Sequence, residues 1–130
     1  MPATNPSQAL PRAAANAATD APPIDLVHLR RYTLGDRPLE LEILGLFVDQ
    51  LATTVGALKS APSDKEWGMA AHTLKGSARA VGAWSLASLA DRAESLGDRP
   101  SASERGLIVC RLEEAADGVR AYIASLGSDD

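Results

Sequence analysis

The chain has little of what many catalytic proteins are built on. Of its 130 residues one is cysteine and two are histidine. Cys110 alone can form no disulfide within the chain, which fits a reducing compartment. No second histidine or cysteine stands at metal-ligand spacing from His72, which argues against zinc. There is no Gly-rich phosphate loop and no G-x-x-x-x-G-K-[ST] run, so nothing here is built to hold ATP. No Asp or Glu lies three or four residues from His72 to orient it as a base, and a Ser–His–Asp arrangement has no support. The net charge is −4 with no basic stripe, which argues against nucleic acid as a partner. No apolar run approaches the length needed to cross a bilayer, and the N-terminus lacks the charged start and apolar block of a signal peptide.

What is present is helical. Alanine and leucine dominate, both favour helix, and no strand signal or internal repeat appears. Residues 1–22 are Ala, Pro, Asn, Ser and Thr with few large apolar groups, and are expected to form a disordered tail. Asp25 caps a short helix to Leu34, ended by Gly35. Asp36 caps the next, with Pro38 in its first turn and Leu41, Leu44, Phe47, Val48, Leu51, Val55 and Leu58 as its inward stripe. Ser63 with Glu66 forms a capping box that opens a third helix, and Gly82 closes it. A fourth runs from Ala83 or Trp84 to Leu96, with Leu86, Leu89, Ala90, Ala93 and Leu96 inward. After a turn at Gly97 to Pro100, Ser101 with Glu104 repeats the capping box. The last helix then reaches Leu126, with Ile108, Leu112, Ala115, Val119, Tyr122, Ile123 and Leu126 on one face. Short breaks make neighbours antiparallel. The expected fold is all-α, an up-down-up-down antiparallel four-helix bundle over residues 23–127 with a short extra N-terminal helix.

The stretch Ala70 to Ala83, AAHTLKGSARAVGA, carries the chemistry. Trp67, Ala71, Leu74, Ala78 and Val81 form its apolar stripe, so His72, Lys75, Gly76 and Arg79 share the wetter face. A helical side chain leans over the turn N-terminal to it. A residue at position 76 would therefore cover the His72 ring, and Gly76 leaves the ring bare. Gly68 does the same under it. A mid-helix glycine costs roughly 1 kcal/mol relative to alanine, and two flank one histidine. Lys75 leans toward the imidazole and sets a cation beside it, matched to a phosphoryl group arriving on the ring. Arg79 lies about 10.5 Å further along the axis and reaches toward a partner's acidic surface. At pH 7 roughly three quarters of histidine rings of ordinary pKa are neutral and nucleophilic.

HTLKGSARAVGA, residues 72–83, resembles the signature of the histidine phosphotransfer (HPt) family, a His-x-x-Lys-Gly run followed by small residues and a Gly-Ala pair. LGLFVDQL, residues 44–51, is similar to that family's second helix. The resemblance implies that His72 is the phosphoacceptor, that Lys75 lies near the phosphoryl group, that Gly76 leaves room for it, and that Gly82 ends the helix. It implies relay between receiver-domain aspartates, with receiver domains of response regulators and a hybrid histidine kinase as partners. It also implies no cofactor of the chain's own, since the receiver brings Mg²⁺. The expectation is a bacterial, cytoplasmic, monomeric phosphoprotein without autonomous kinase activity, touching neither nucleic acid nor membrane.

Two other readings stand beside it. One is a non-phosphorylated helical adaptor that docks a receiver or kinase without transfer; the presence of both His72 and Lys75 speaks against it. The other is a phosphoacceptor domain cut from a chemotaxis-type kinase; Met1 and the polar end at Asp130 favour a free-standing protein. His28 has no flanking glycine or cation and reads as a surface or capping residue. Trp67 and Trp84 read as packing residues, and Cys110, off the last helix's stripe, as a partly covered thiol. Leu39, Ile43 and Leu46 lie off the second helix's stripe and need a cover. The first helix supplies it through Leu26, Leu29 or Tyr32, or part of the flank stays open with Met69, one turn before His72, as a docking patch.

Overall fold

Asp25, Asp36 and Ser63 each turn a side-chain oxygen onto the first turn of a helix, accepting the backbone N–H of His28, Leu39 and Glu66 respectively. Caps of this kind contribute about 1 kcal/mol each, and they set where the elements begin. In the computed structural model, which describes residues 22–96 and 102–128, these are α1 (Leu26–Thr33), α2 (Arg37–Lys59) and α3 (Asp64–Val81), followed by α4 (Trp84–Ser95) and α5 (Ala102–Ser128). Among the described residues there is no strand. The expected tail, all but its last residue, and the expected turn at Gly97 to Pro100 with Ser101 lie outside the described residues.

α2 packs on α3, α3 on α4, α4 on α5 and α5 on α2, closing a ring of four. Contacts between helix ends give the directions. Trp67, early in α3, donates its indole N–H to the Ala93 carbonyl, late in α4, at 2.6 Å. Arg37, at the start of α2, donates to the Leu126 carbonyl near the end of α5. Both pairs run antiparallel, as the short connections require.

The core is mostly aliphatic, with two aromatics, Phe47 and Trp67. Trp67 is 1% exposed and belongs to the same core as Leu44, Leu51, Leu74, Leu86 and Leu112, all buried. The stripe read for α3 is buried without exception. Elsewhere the stripe shifts slightly. Leu41 and Val48 are only half-buried, because they sit on the rim of the α2–α5 groove beside Arg120 and Ile123. In α4 Ala87 joins the core while Leu89 and Leu96 lie at its edge, and in α5 Ala116 rather than Ala115 is fully buried.

The first helix reverses one residue earlier than expected. Leu34 itself takes the left-handed conformation at φ 54°, and Gly35 continues it at φ 81°. α1 is clamped at both ends. Asp25 N donates to the Gly82 carbonyl at 2.9 Å, tying it to the end of α3. Arg30 grips the buried carboxylate of Glu40 in α2 through two hydrogen bonds, of 2.7 and 3.2 Å. A planar guanidinium matched to both oxygens is the arrangement that keeps a buried charge tolerable. The flank of α2 is covered in part. Ile43 packs against the core, Leu39 lies at the edge and Leu46 is 63% exposed.

Two expectations need correction. α2 is, by length and composition alone, long and apolar enough to cross a membrane. The apolarity has a use within the chain: Leu44, Phe47, Leu51, Val55 and Leu58 are buried, and the helix packs against α3 on one flank and α5 on the other. Cys110 is exposed rather than partly covered, because it lies off the α5 face that Ile108, Leu112 and Ala116 bury.

Candidate functional site

α3 is held at both ends, and this fixes everything displayed on it. Ser63 caps its start, with Asp64 and Glu66 in the first turn where the helix dipole favours negative charge. At its end Gly82 stands at φ 80°, with Ala83 N donating to the Ala78 carbonyl and Gly82 N to that of Arg79. Only glycine suits this position. A Cβ there would meet the Asp25 carbonyl at 2.9 Å in addition to the left-handed backbone.

On the outer face of this helix His72 has a side chain 71% exposed. Gly68 and Gly76 lie one turn to either side. A Cβ built at either meets nothing within 4 Å, so no packing inside the domain calls for glycine there. Met69 is 60% exposed. With Ala70 and Thr73 it walls one side of a shallow groove of about 360 Å³ whose other side is Thr53, Thr54 and Ala57 of α2. Arg79 is exposed near the end of α3 and makes no ion pair among the described residues. His72, Met69, Gly76 and Arg79 therefore share one open face.

The surroundings of Lys75 differ from expectation. Its side chain is only 16% exposed, and its ammonium faces α4, 2.6 Å from Glu94 Oε1 and 3.4 Å from Asp91 Oδ1. The Glu94 carboxylate raises the pKa of Lys75 above the ordinary lysine value, against a smaller opposing effect of burial. The cation beside the imidazole is thus an ion-paired one. Glu94 is the residue that sequence reasoning missed. Its second oxygen lies 3.0 Å from His72 Nδ1, so one carboxylate bridges the histidine and the lysine. Lys75 foremost, then His72, hold that carboxylate below its ordinary pKa although burial works the other way. No signal within α3 points to Glu94, which is 22 residues away in the chain. Only the antiparallel pairing of α3 and α4 brings it to the ring.

Among the described residues no three of His, Cys, Asp and Glu are grouped to hold a metal ion. His28, the other histidine, is half-buried and stacks edge-on against Trp84 at 4.9 Å and Tyr32 at 5.5 Å. Trp84 donates its indole N–H to Asp25 at 2.9 Å, so this cluster fastens α1 to the start of α4. Trp67 is the packing residue expected; Trp84 packs with one face and leaves 46% of itself exposed.

The arrangement offers one exposed imidazole with Nδ1 occupied by a carboxylate, Nε2 without a polar partner among the described residues, and open space on both sides. Neither the curated proteins nor the solved structures compared with this chain gave a match. The sequence model of the Hpt domain matches residues 42–122, more than half of the chain, and spans His72, Lys75, Gly76 and Glu94. The protein therefore belongs to the Hpt domain family, whose members carry phosphoryl groups in phosphorelays and bring no cofactor of their own.

Proposed function

We propose that this protein relays a phosphoryl group between receiver-domain aspartates, with His72 as the phosphoacceptor. The observation that carries the reading is the His72 ring itself. It is exposed, flanked by two glycines that nothing inside the domain requires, and bonded through Nδ1 to Glu94, which leaves Nε2 to face a partner.

The step is an in-line displacement. The lone pair of Nε2 attacks phosphorus, and the bond between phosphorus and the receiver's aspartyl oxygen breaks, returning a carboxylate to the receiver. The onward transfer is the reverse, onto a second receiver. Such transfers depend on positioning and charge more than on covalent assistance from the protein. A rigid helix, clamped at both ends, presents the ring in a fixed pose. Gly76 and Gly68 leave room for the phosphoryl group and the partner's loops. Lys75 holds Glu94 and stands ready beside the incoming charge, while Met69 and Arg79 face the partner. The partners are receiver domains of response regulators and a hybrid kinase. The protein works as a cytoplasmic monomer, its domain spanning residues 23–127.

The test is phosphotransfer from a phosphorylated receiver. The wild-type protein takes up label at a single site, and the product is acid-labile and base-stable, as a phosphoramidate is. His72→Gln takes up none. Label retained by His72→Gln, or label that survives acid, overturns the reading.

A further inference from the structure

Arg30, Lys59, Lys75, Arg105 and Arg120 each face a carboxylate of the chain, whose net charge is −4. Arg92 and Arg111 do not. Both are exposed, their guanidinium groups have no hydrogen-bond or ion-pair partner among the described residues, and both line one cavity. It lies on the seam between the end of α4 and the start of α5 and measures about 190 Å³. Leu96, Leu107 and Ile108 form its apolar lining, and Glu104 completes it. Leu107 is 59% exposed, a large apolar side chain left to solvent beside the buried Ile108.

Size and charge together describe an occupant. Small-molecule and cofactor pockets run to roughly 300–1,000 Å³, and this cavity is smaller. It has room for one large apolar side chain. An unpaired guanidinium offers a carboxylate two parallel N–H···O bonds. Arginine beside an apolar pocket is a combination enriched where binding energy concentrates. We propose that the α4–α5 seam docks an acidic segment of a partner protein. The segment seats one large apolar side chain between Leu96, Leu107 and Ile108 and sets carboxylates on Arg92 and Arg111. Glu104 repels such a segment, which fixes the sign of one test below.

The place on α4 leaves the phosphotransfer face open. Asp91 and Glu94 of that helix turn to Lys75 and His72 on α3, whereas Arg92 and Leu96 line the seam with α5. The docked segment sits on the other flank of α4 and does not cover the His72 ring. A partner held there has a raised local concentration of whatever domain it carries to that ring. The docking itself does not depend on His72 being the phosphoacceptor. Nucleic acid fits the seam poorly: its phosphates would meet two guanidiniums, but the lining has no aromatic platform on which bases could stack.

The test is an NMR titration of the ¹⁵N-labelled full chain with an acetylated, amidated peptide, Asp-Glu-Phe-Leu-Asp-Glu. The expected result is saturable shifts at Leu96, Leu107 and Ile108, with Met69 and His72 unmoved. Replacing the apolar pair of the peptide by serines, or its carboxylates by amides, weakens binding by about tenfold or more. Arg92→Ala and Arg111→Ala each weaken it by about fivefold, the upper end for an exposed ion pair, and Glu104→Gln tightens it by about twofold. Thermal melts of the two arginine variants match the wild type, as for most exposed substitutions. No saturable shift at the seam, shifts centred on Met69 and His72, or arginine variants that bind as the wild type does would each overturn the proposal. So would inorganic phosphate or a single-stranded oligonucleotide binding at the seam as tightly as the peptide. Broadening of the seam signals with protein concentration alone, without peptide, would give the surface to a second copy of this chain and overturn it too.

Discussion

Gly76 is exposed, its φ is ordinary, and a side chain there meets nothing of the domain. Its value lies in what it leaves uncovered. Gly76→Gln sets a long side chain over His72, since helical side chains lean toward the N-terminus. The expected result is a transfer rate lower by tenfold or more. The melting temperature should hold or rise, because glutamine is the better helix former by roughly 0.5–1 kcal/mol. Paired transfer assays and thermal melts check this, and normal transfer would end the steric argument. At this scale the sequence is legible where partners are close along the chain. His72, Lys75, Gly76 and Gly68 could be read from spacing because one turn of helix relates them. Glu94 could not, because its relation to His72 is a matter of packing between α3 and α4. The same blind spot left Lys75 looking like a free cation, when its ammonium is held by two carboxylates of the next helix.

Helices were legible through their ends and their stripes. Asp25, Asp36, Ser63 and Gly82 stand where the caps are, because capping is a local matter of one side chain and one turn. Glu40 was not legible. A carboxylate near the start of an apolar stripe reads as surface, yet it is 1% exposed, because Arg30 arrives from α1 to pair with it. The α3–α4 seam that sets the His72–Glu94 distance depends on Trp67. Its indole fills the core, donates to the Ala93 carbonyl one residue before Glu94, and lies under the Arg105 guanidinium at 4.8 Å. Trp67→Phe removes the donor and part of the volume. The expected destabilisation is about 1–3 kcal/mol, read by denaturant unfolding. A change within experimental error would show that the hydrogen bond contributes nothing net.

The whole molecule presents one face on which an exposed nucleophile adjoins exposed apolar surface. Met69 on α3 is 60% exposed, whereas Leu46, 63% exposed, lines the α2–α5 groove beside Arg120 and Ile123. Between α2 and α3, Thr53, Thr54 and Ala57 face Met69, Ala70 and Thr73 across a shallow groove in whose lining Glu66 is the one charged residue, and Ser77 donates to Gln50 between the same two helices. On the proposed reading a receiver that delivers its phosphoryl group to His72 seats its own surface here, and a mostly apolar shallow groove suits contact with more than one partner. Met69 is the side chain to test, since its place three residues before His72 fixes it beside the ring and its exposure removes it from the core. Met69→Asp introduces a desolvated carboxylate into the docked complex while leaving the free domain solvated. Receiver affinity should fall by tenfold or more, and the melting temperature should stay within a few degrees, as for most exposed substitutions. A binding titration paired with thermal melts separates the outcomes. Unchanged affinity takes Met69 out of the interface, and a large loss of stability would mean that it belongs to the core after all.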